Sequence, residues 1–405
     1  MTVLDPAITP LKFELQEETQ PRPRIRVIGV GGAGSNAVAH IMSAGLQGVE
    51  FWAVNTDAQA LRASPVPNKL EIGRKLTGGQ GAGSDPEIGR QAALEDTERL
   101  MDMLQGAAMV FVAAGLGNGT GTGAAPVIAS MARQMDALTA AVVTKPFTVE
   151  GPRRAEQAER GLQELAAAVD ALVAIPNDRL LALAPRGASL IEAFRMANEI
   201  MRQAVQEIVE IIQTPGLINR DFADIRAVMR GGGLAVLGTA TARGENAAVE
   251  AARQAINCPL VEGASLAGAR NVLVHVTGSS RLGLHELHEA CLLVREATRM
   301  RDVELSLGVV LNETMADSVK VSVIATGFAP VPAGQPLPGE ESWRPVPAPE
   351  PEIVRGAPQH ASEPQVAWLA ETDLAEPALP EALSEEDDLE DLDTPPFLRR
   401  RRLVR

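Results

Sequence analysis

Twice in this chain an apolar strand runs through a glycine-rich turn directly into a helix, and few folds accommodate that arrangement twice. The first instance is "RIRVIGV" leading into "GSNAVAHIMSAG", with Gly29, Gly31 and Gly34 spaced G-x-G-x-x-G across the turn. The second is "AAMVFVAAG" leading through "LGNGTGTG" into "APVIASMARQM". Unbroken apolar runs of this kind are covered on both faces, as in a parallel sheet with helices on either side. Glycines at the strand ends permit positive φ and let phosphate oxygens approach backbone N–H groups at a helix N-terminus. By itself the first turn fits either a nucleotide or a tight structural bend, and it does not separate NAD from a nucleoside triphosphate. Asp57, at the end of the next strand, lies somewhat beyond the usual distance for a ribose-binding acid. The second turn contains no lysine, so it is not a P-loop. Its donors would be the N–H groups of Gly119 to Gly121, the hydroxyls of Thr120 and Thr122, and the helix dipole, which stabilises an anion by roughly 0.3 to 2 kcal/mol. Two such turns at the carboxyl ends of two strands would hold one phosphate chain from both sides. A dehydrogenase using the first turn alone has no use for the second.

The neighbouring segments extend the alternation. "VEFWAVN", "TAAVVTKPF" and "ALVAIPN" read as further strands, and "DPEIGRQAALEDTERLMDML" predicts one helix capped by Asp85, with Pro86 in its first position. Ser189 and Glu192 have capping-box spacing, after which Leu190, Phe194, Ala197, Met201, Val205, Ile208 and Ile212 recur at helical intervals. That predicts a helix of about 24 residues, roughly 36 Å long, of the sort that joins two domains. Beyond it, "RNVLVHVTG", "VELSLGVVLNE" and "SVKVSVIATG" with two intervening helices predict a smaller α/β domain. The expected organisation is a flexible arm over 1–23, a first domain over 24–188, the long helix over 189–214, a second domain over 215–328, a linker over 329–390 and a terminal peptide over 391–405.

Composition narrows the classes. The 405 residues are 45% hydrophobic, enough for two or three domains with buried cores. No apolar run approaches the roughly 18 to 20 residues of a membrane span, and the N-terminus lacks a secretion-signal pattern. Two cysteines, Cys258 and Cys291, make no disulfide or metal framework, which fits a cytoplasmic setting. "HELHE" at His285 to Glu289 is not H-E-x-x-H and has no third ligand nearby, so zinc is not expected there. Between Val331 and Asp393 there are 16 acidic and 2 basic residues, and from Thr394 onward 5 arginines, which leaves −6 of the net −15 for the body. The body therefore shows no nucleic-acid surface, while the Pro-rich acidic linker is expected to be disordered.

The motifs as a set resemble the FtsZ family of tubulin-like, bacterial cell-division GTPases. The resemblance rests on the second turn, Gly117 to Gly123, where the family writes G-G-G-T-G-T-G. It also rests on "NTDAQAL", "VVTKPFTVEGPRR", "IPNDRLL" and "NRDFADIRAVM", in order from Arg24 to about Phe328. It implies a tubulin-like α/β fold: a Rossmann-type GTP-binding domain, a long central helix and a smaller GTPase-activating domain. Gly32, Ala33, Gly34, Ser35 and Asn36, with Gly119, Thr120 and Gly121, would cradle the phosphates of GTP or GDP. Mg²⁺ would be held through those phosphates rather than by side chains. Glu150 would accept from the ribose and Arg154 would reach a phosphate, though the pair also has the spacing of a surface i,i+4 ion pair. Phe194 would pack on guanine, or else fill a core position at helical spacing. Asn198 would read the base edge, beside Glu199.

By the same resemblance, Asp221 and Asp224 would polarise the attacking water in the pocket of the next subunit, with Asn219 beside them; as residues alone they read as helix caps. The subunits would then polymerise head to tail, and hydrolysis would depend on assembly. The tail "DTPPFLRRRRLVR" is similar to the family's C-terminal peptide in Asp393, Pro395, Phe397, Leu398 and Arg399, and implies docking to membrane-tethering adaptors and assembly regulators. The implied location is a ring at midcell, under the inner membrane. Three departures bear on turnover. Asn118 replaces a family glycine, where Asn would tolerate a left-handed conformation. Ala33 and Ser35 interrupt the usual glycine run. Glu199 replaces the usual Asp and is one methylene longer, which bears on guanine selectivity.

Overall fold

The computed structural model describes residues 23–183, 189–214, 216–218, 221–231, 233–258 and 266–328. The arm before residue 23, Asn219, the linker and the terminal peptide with Asp393, Pro395, Phe397, Leu398 and Arg399 lie outside the described residues. The first sheet is built from β1 (Ile25–Val30), β2 (Val49–Asn55), β3 (Asn68–Glu71), β4 (Met109–Gly115), β5 (Leu138–Lys145), β6 (Ala171–Pro176) and β7 (Gly233–Leu234). Its order is β3-β2-β1-β4-β5-β6-β7, with all pairs parallel. Helices α1 (Gly31–Ser43), α2 (Ala58–Ala63), α3 (Arg74–Thr77), α4 (Pro86–Glu95), α5 (Thr97–Leu104), α6 (Gly119–Gln134), α7 (Pro152–Ala168) and α8 (Asn177–Leu183) connect them. The long helix is α9 (Leu190–Gln213), followed by α10 (Phe222–Met229). A second sheet contains β8 (Val236–Arg243), β9 (Asn271–Gly278), β10 (Glu304–Leu311) and β11 (Ser318–Thr326), in the order β10-β9-β11-β8, with α11 (Ala247–Ile256) and α12 (Leu284–Ala297) on one face.

Period-two alternation divides each central strand between two cores. In β1, Ile25 and Val27 face a cluster with α1 and α9, whereas Ile28 and Val30 face one with α4 to α7. Both faces are apolar, which is why the run reads as continuous. The helix α9 is 24 residues long and opens with the full Ser189–Glu192 capping box. Met201, Val205 and Ile208 of α9 share one cluster with Phe111 of the first sheet and with Leu273 and Ile324 of the second, so the helix is the common core of both sheets.

The single helix expected from Asp85 to Leu104 is instead two. The chain bends at Asp96 (φ −106°, ψ 29°), whose carboxylate accepts from the N–H of Gly73 at 2.7 Å and pairs with Arg99 at 2.8 Å. A tertiary hydrogen bond to the turn after β3 has overridden helical continuity.

Beside this apolar contact, α9 also makes a polar one with the second sheet. Lys320 on β11 lies 2.7 Å from Glu207 and 3.0 Å from Glu210, and the Ser322 hydroxyl donates to Glu207. His275, opposite Ser322 in the register, is buried beside them; burial, and then the Lys320 charge, push its pKa down to about 4. An unfolded histidine titrates near 6.5, so between those values only the unfolded chain takes up the proton. Stability is therefore lost as pH falls from about 6.5 to about 4, by up to about 3 kcal/mol. His275→Gln should flatten the pH dependence of the thermal midpoint across that window. An unchanged slope would show that His275 is not the group responsible.

Candidate functional site

Strand order reverses between β1 and β4, and their helices leave to opposite faces of the sheet. A crevice at the carboxyl ends of two such strands is the ligand position in open parallel sheets. Its walls are backbone. Gly31 is left-handed (φ +72°), and a Cβ on it would stand 2.9 Å from the Gly121 nitrogen. A Cβ on Gly34 would stand 2.2 Å from the Ala113 carbonyl oxygen, so only hydrogen fits where α1 crosses β4. Gly32, Ala33 and Asn36 are exposed, while Gly34 and Ser35 are buried. The Ser35 hydroxyl is buried without a hydrogen-bond partner.

The first-turn N–H groups of any helix lack intrahelical acceptors. Asp57, Asp85, Ser189 and Asp221 supply side-chain caps to α2, α4, α9 and α10. Neither α1 nor α6 has a side-chain cap or an acidic residue in its first turn. The donors of both therefore face the crevice with no carboxylate competing, which suits an anion. Asp57 is spent on its cap, accepting from Gln59 and Ala60, so it is a structural acid.

The second turn departs from expectation in a useful way. Gly117 carries the positive φ (+96°), whereas Asn118 is extended (φ −113°, ψ 179°) and exposed. A left-handed conformation is not required at Asn118, so replacing glycine there costs the turn nothing. Helix α6 already begins at Gly119. The Thr122 hydroxyl accepts from the Gly117 N–H at 2.9 Å, closing the turn, and Thr120 meets Thr56 at 2.7 Å. These two hydroxyls brace the turn, leaving the backbone as its open donor set.

A third glycine-rich segment adjoins it. Gly78, Gly79, Gly81, Gly83 and Ser84 all have positive φ, and a Cβ on Gly119 would lie 2.7 Å from Ala82 Cβ. The four glycines of "GGQGAGSDP" are the sequence signal for this segment, which the motifs considered above do not include.

Glu150, Arg154 and Phe194 complete the rim. A Cβ on Gly117 would stand 2.9 Å from the Arg154 carbonyl oxygen, which sets the start of α7 beside the second turn. Glu150 accepts from the Phe147 N–H at 2.9 Å and pairs with Arg154, so the i,i+4 ion pair exists at the crevice itself. Phe194 does not fill a core position. It is 45% exposed and stacks edge-on against Phe147, with centroids 5.8 Å apart. Asn198 is half-buried one turn further along α9. The Glu199 carboxylate is engaged by Arg202, His40 and Gln203. Its pKa is lowered to about 2, chiefly by the Arg202 hydrogen bond and then, against burial, by those from His40 and Gln203. Glu199 thus ties α9 to the end of α1.

Asp221 and Asp224 are not brought to this crevice. Asp221 caps α10, its carboxylate accepting from the Asp224 N–H at 2.7 Å. Helix α10 is held by Arg226 and Arg230 against Asp136, beyond the far end of α6. The 16 residues of α6 separate the two ends by roughly 24 Å. The far end of α9 agrees, since Gln213 donates to Gly48 just before β2. Exposed apolar side chains occur toward both poles: Val149 (87%) and Ile191 near the crevice, and Leu217 (72%) and Ile218 just before α10. Among the described residues, no group of three or more His, Cys, Asp or Glu is arranged to hold a metal ion, and no helix is long and apolar enough to cross a membrane.

The chain and its fold match known proteins. Residues 24–185 match the GTPase-domain model of the tubulin/FtsZ family, and residues 233–329 match the FtsZ-family C-terminal domain. An empty FtsZ dimer from M. jannaschii is 41% identical over 76% of this chain and 89% of that one, with a TM-score of 0.69. CetZ2 from Haloferax volcanii, solved as a GTPγS-bound protofilament, is 26% identical over 75% of this chain and 92% of its own, with a TM-score of 0.64.

Proposed function

Because this chain belongs to the FtsZ family of tubulin-like GTPases, we propose that it hydrolyses GTP between successive subunits of a head-to-tail filament, and that this filament scaffolds the division ring. The observation that carries the reading is the separation of the crevice from the acidic pair by the length of α6. In this reading one pole supplies the phosphate cradle and the other the general base. A heterologous contact between unlike poles supplies both and propagates without closing, and the exposed apolar side chains at each pole would be covered by it.

In this reading the first turns of α1 and α6 bind the phosphates, and the unpaired Ser35 hydroxyl gains a partner. Glu150 turns to the ribose, Arg154 is released toward a phosphate, and the exposed face of Phe194 takes the base, with Asn198 on its edge. Mg²⁺ carried on the phosphates neutralises part of their charge when bound. The incoming subunit's Asp221 and Asp224, with Asn219 proposed beside them, orient the attacking water and accept its proton. Catalysis is then mostly positioning and charge placement. The unperturbed turn at Asn118 favours normal turnover over a slow variant.

Identity to FtsZ higher than to CetZ, together with the FtsZ-type second domain, favours a division scaffold over another tubulin-like filament. The proposed location is a cytoplasmic ring at midcell, and Asp393, Pro395, Phe397, Leu398 and Arg399 are proposed to dock adaptors. A shared site makes activity depend on assembly. GTPase rate per subunit should climb with protein concentration from near zero to a plateau, in step with sedimented polymer. A rate per subunit that stays flat across that range would refute interface catalysis.

A further inference from the structure

Helix α6 has its first turn at the phosphate cradle and its last at the opposite edge of the sheet. Just past its C-cap, Asp136 adopts a left-handed conformation (φ +61°) that turns the chain into β5. This turn presents both its main chain and its carboxylate to α10. The Asp136 carbonyl oxygen accepts from Arg226 Nη2 at 2.6 Å, and Oδ1 lies 2.5 Å from that nitrogen and 3.0 Å from Arg230 Nη2. Its side chain is 70% exposed, so core packing does not demand these contacts. The remaining face of α10 is held by Ile225, Val228 and Met229 in the core and by Thr326 donating to the Val228 carbonyl. Arg226 lies two residues from Asp224 on the same short helix. The Arg226 hydrogen bond and charge hold the Asp136 carboxyl below the usual carboxylate range, so the link is ionic at neutral pH.

We propose that Asp136 is a positioning residue. Through Arg226 and Arg230 it ties α10, and with it the acidic pair offered to the next subunit, to the far end of the helix whose first turn holds this subunit's own phosphates. The proposal rests on the head-to-tail reading above. A carboxylate displaced by an ångström loses much of its effect on an attacking water, and a stiff helix carries a shift at one end to the other. The nucleotide state of one site therefore bears directly on the acid pair serving the next.

Two substitutions preserve the backbone: Asp136→Gly accepts the left-handed φ, and Asp136→Asn does so while keeping an acceptor. Both should bind GTP and sediment as the wild type does. Hydrolysis per assembled subunit should fall about tenfold in Asp136→Gly and less in Asp136→Asn. Below the assembly threshold, amide hydrogen exchange in α10 should differ between GDP and GTPγS in the wild type, and the difference should vanish in Asp136→Gly. A merely structural contact would not respond to nucleotide. An Asp136→Gly polymer turning over at the wild-type rate, variants unable to assemble, or wild-type α10 exchange blind to nucleotide would each overturn the assignment. A wild-type rate per subunit independent of concentration would instead remove the shared-site reading, and this proposal with it.

Discussion

Asp224→Asn should lower GTP hydrolysis by about 100-fold or more while leaving GTP affinity within about twofold of the wild type. The substitution removes the charge that would accept the water's proton but keeps the side chain's shape. It also leaves α10 intact, because the Asp221 cap is made to the backbone N–H of residue 224, not to its side chain. Asp221→Ala is the less clean choice, since losing the cap costs about 1 kcal/mol of helix stability. Affinity should hold because α6 stands between this residue and its own chain's cradle. Filaments of Asp224→Asn should consequently form with GTP and persist, since nothing converts the nucleotide that stabilises them. Sedimentation, phosphate release and equilibrium binding measure the three quantities separately. Lost GTP binding would mean that the acid pair belongs to its own chain's pocket, contrary to the geometry.

The second large effect is expected from Gly121→Ala. A Cβ there would stand 2.5 Å from the Gly115 carbonyl oxygen, a backbone atom that cannot swing aside as a side chain would. The turn must open, which pulls the first-turn N–H groups of α6 away from Gly31 and the opposing cradle. GTP affinity should drop about 100-fold, equivalent to about 3 kcal/mol. Gly32→Ala is the informative partner because, among the described residues and apart from its own turn of helix, nothing lies within 4 Å of its Cβ position. Its thermal midpoint should match the wild type, so any weakening of GTP binding reports the ligand's own surface. If Gly121→Ala bound GTP normally, the cradle would have been assigned to the wrong turn.

Much of this site was legible beforehand, for local reasons. Gly29, Gly31 and Gly34 announced close backbone approach, and each has a specific steric cause in the packing of α1 on β1, β4 and α6. Asp85 with Pro86, and Ser189 with Glu192, marked helix starts that the structure keeps, because capping is settled within four residues. The failures were tertiary. Asp96 breaks a sequence with good helical periodicity because Gly73, 23 positions away, claims its carboxylate. Phe194 fits the apolar stripe of α9 but stands exposed, since that stripe outruns the core at the crevice end. Glu199 could be seen as a substitution and its i,i+3 pairing with Arg202 is local, but its hydrogen bond with His40 depends on how α1 and α9 cross.

The sequence by itself determined the local chemistry: which turns free their N–H groups, which helices are capped, and which strands are covered on both faces. Those properties follow from residues within a few positions of one another. Only the tertiary structure decided distance. That α6 begins at the glycine-rich second turn and ends beside Asp136, which holds Arg226 and Arg230 of α10, is written in no motif. It comes from the parallel sheet, which sets every strand's carboxyl end on one edge and every return on the other. That edge-to-edge separation is why the proposed function divides the site between the two poles of successive subunits.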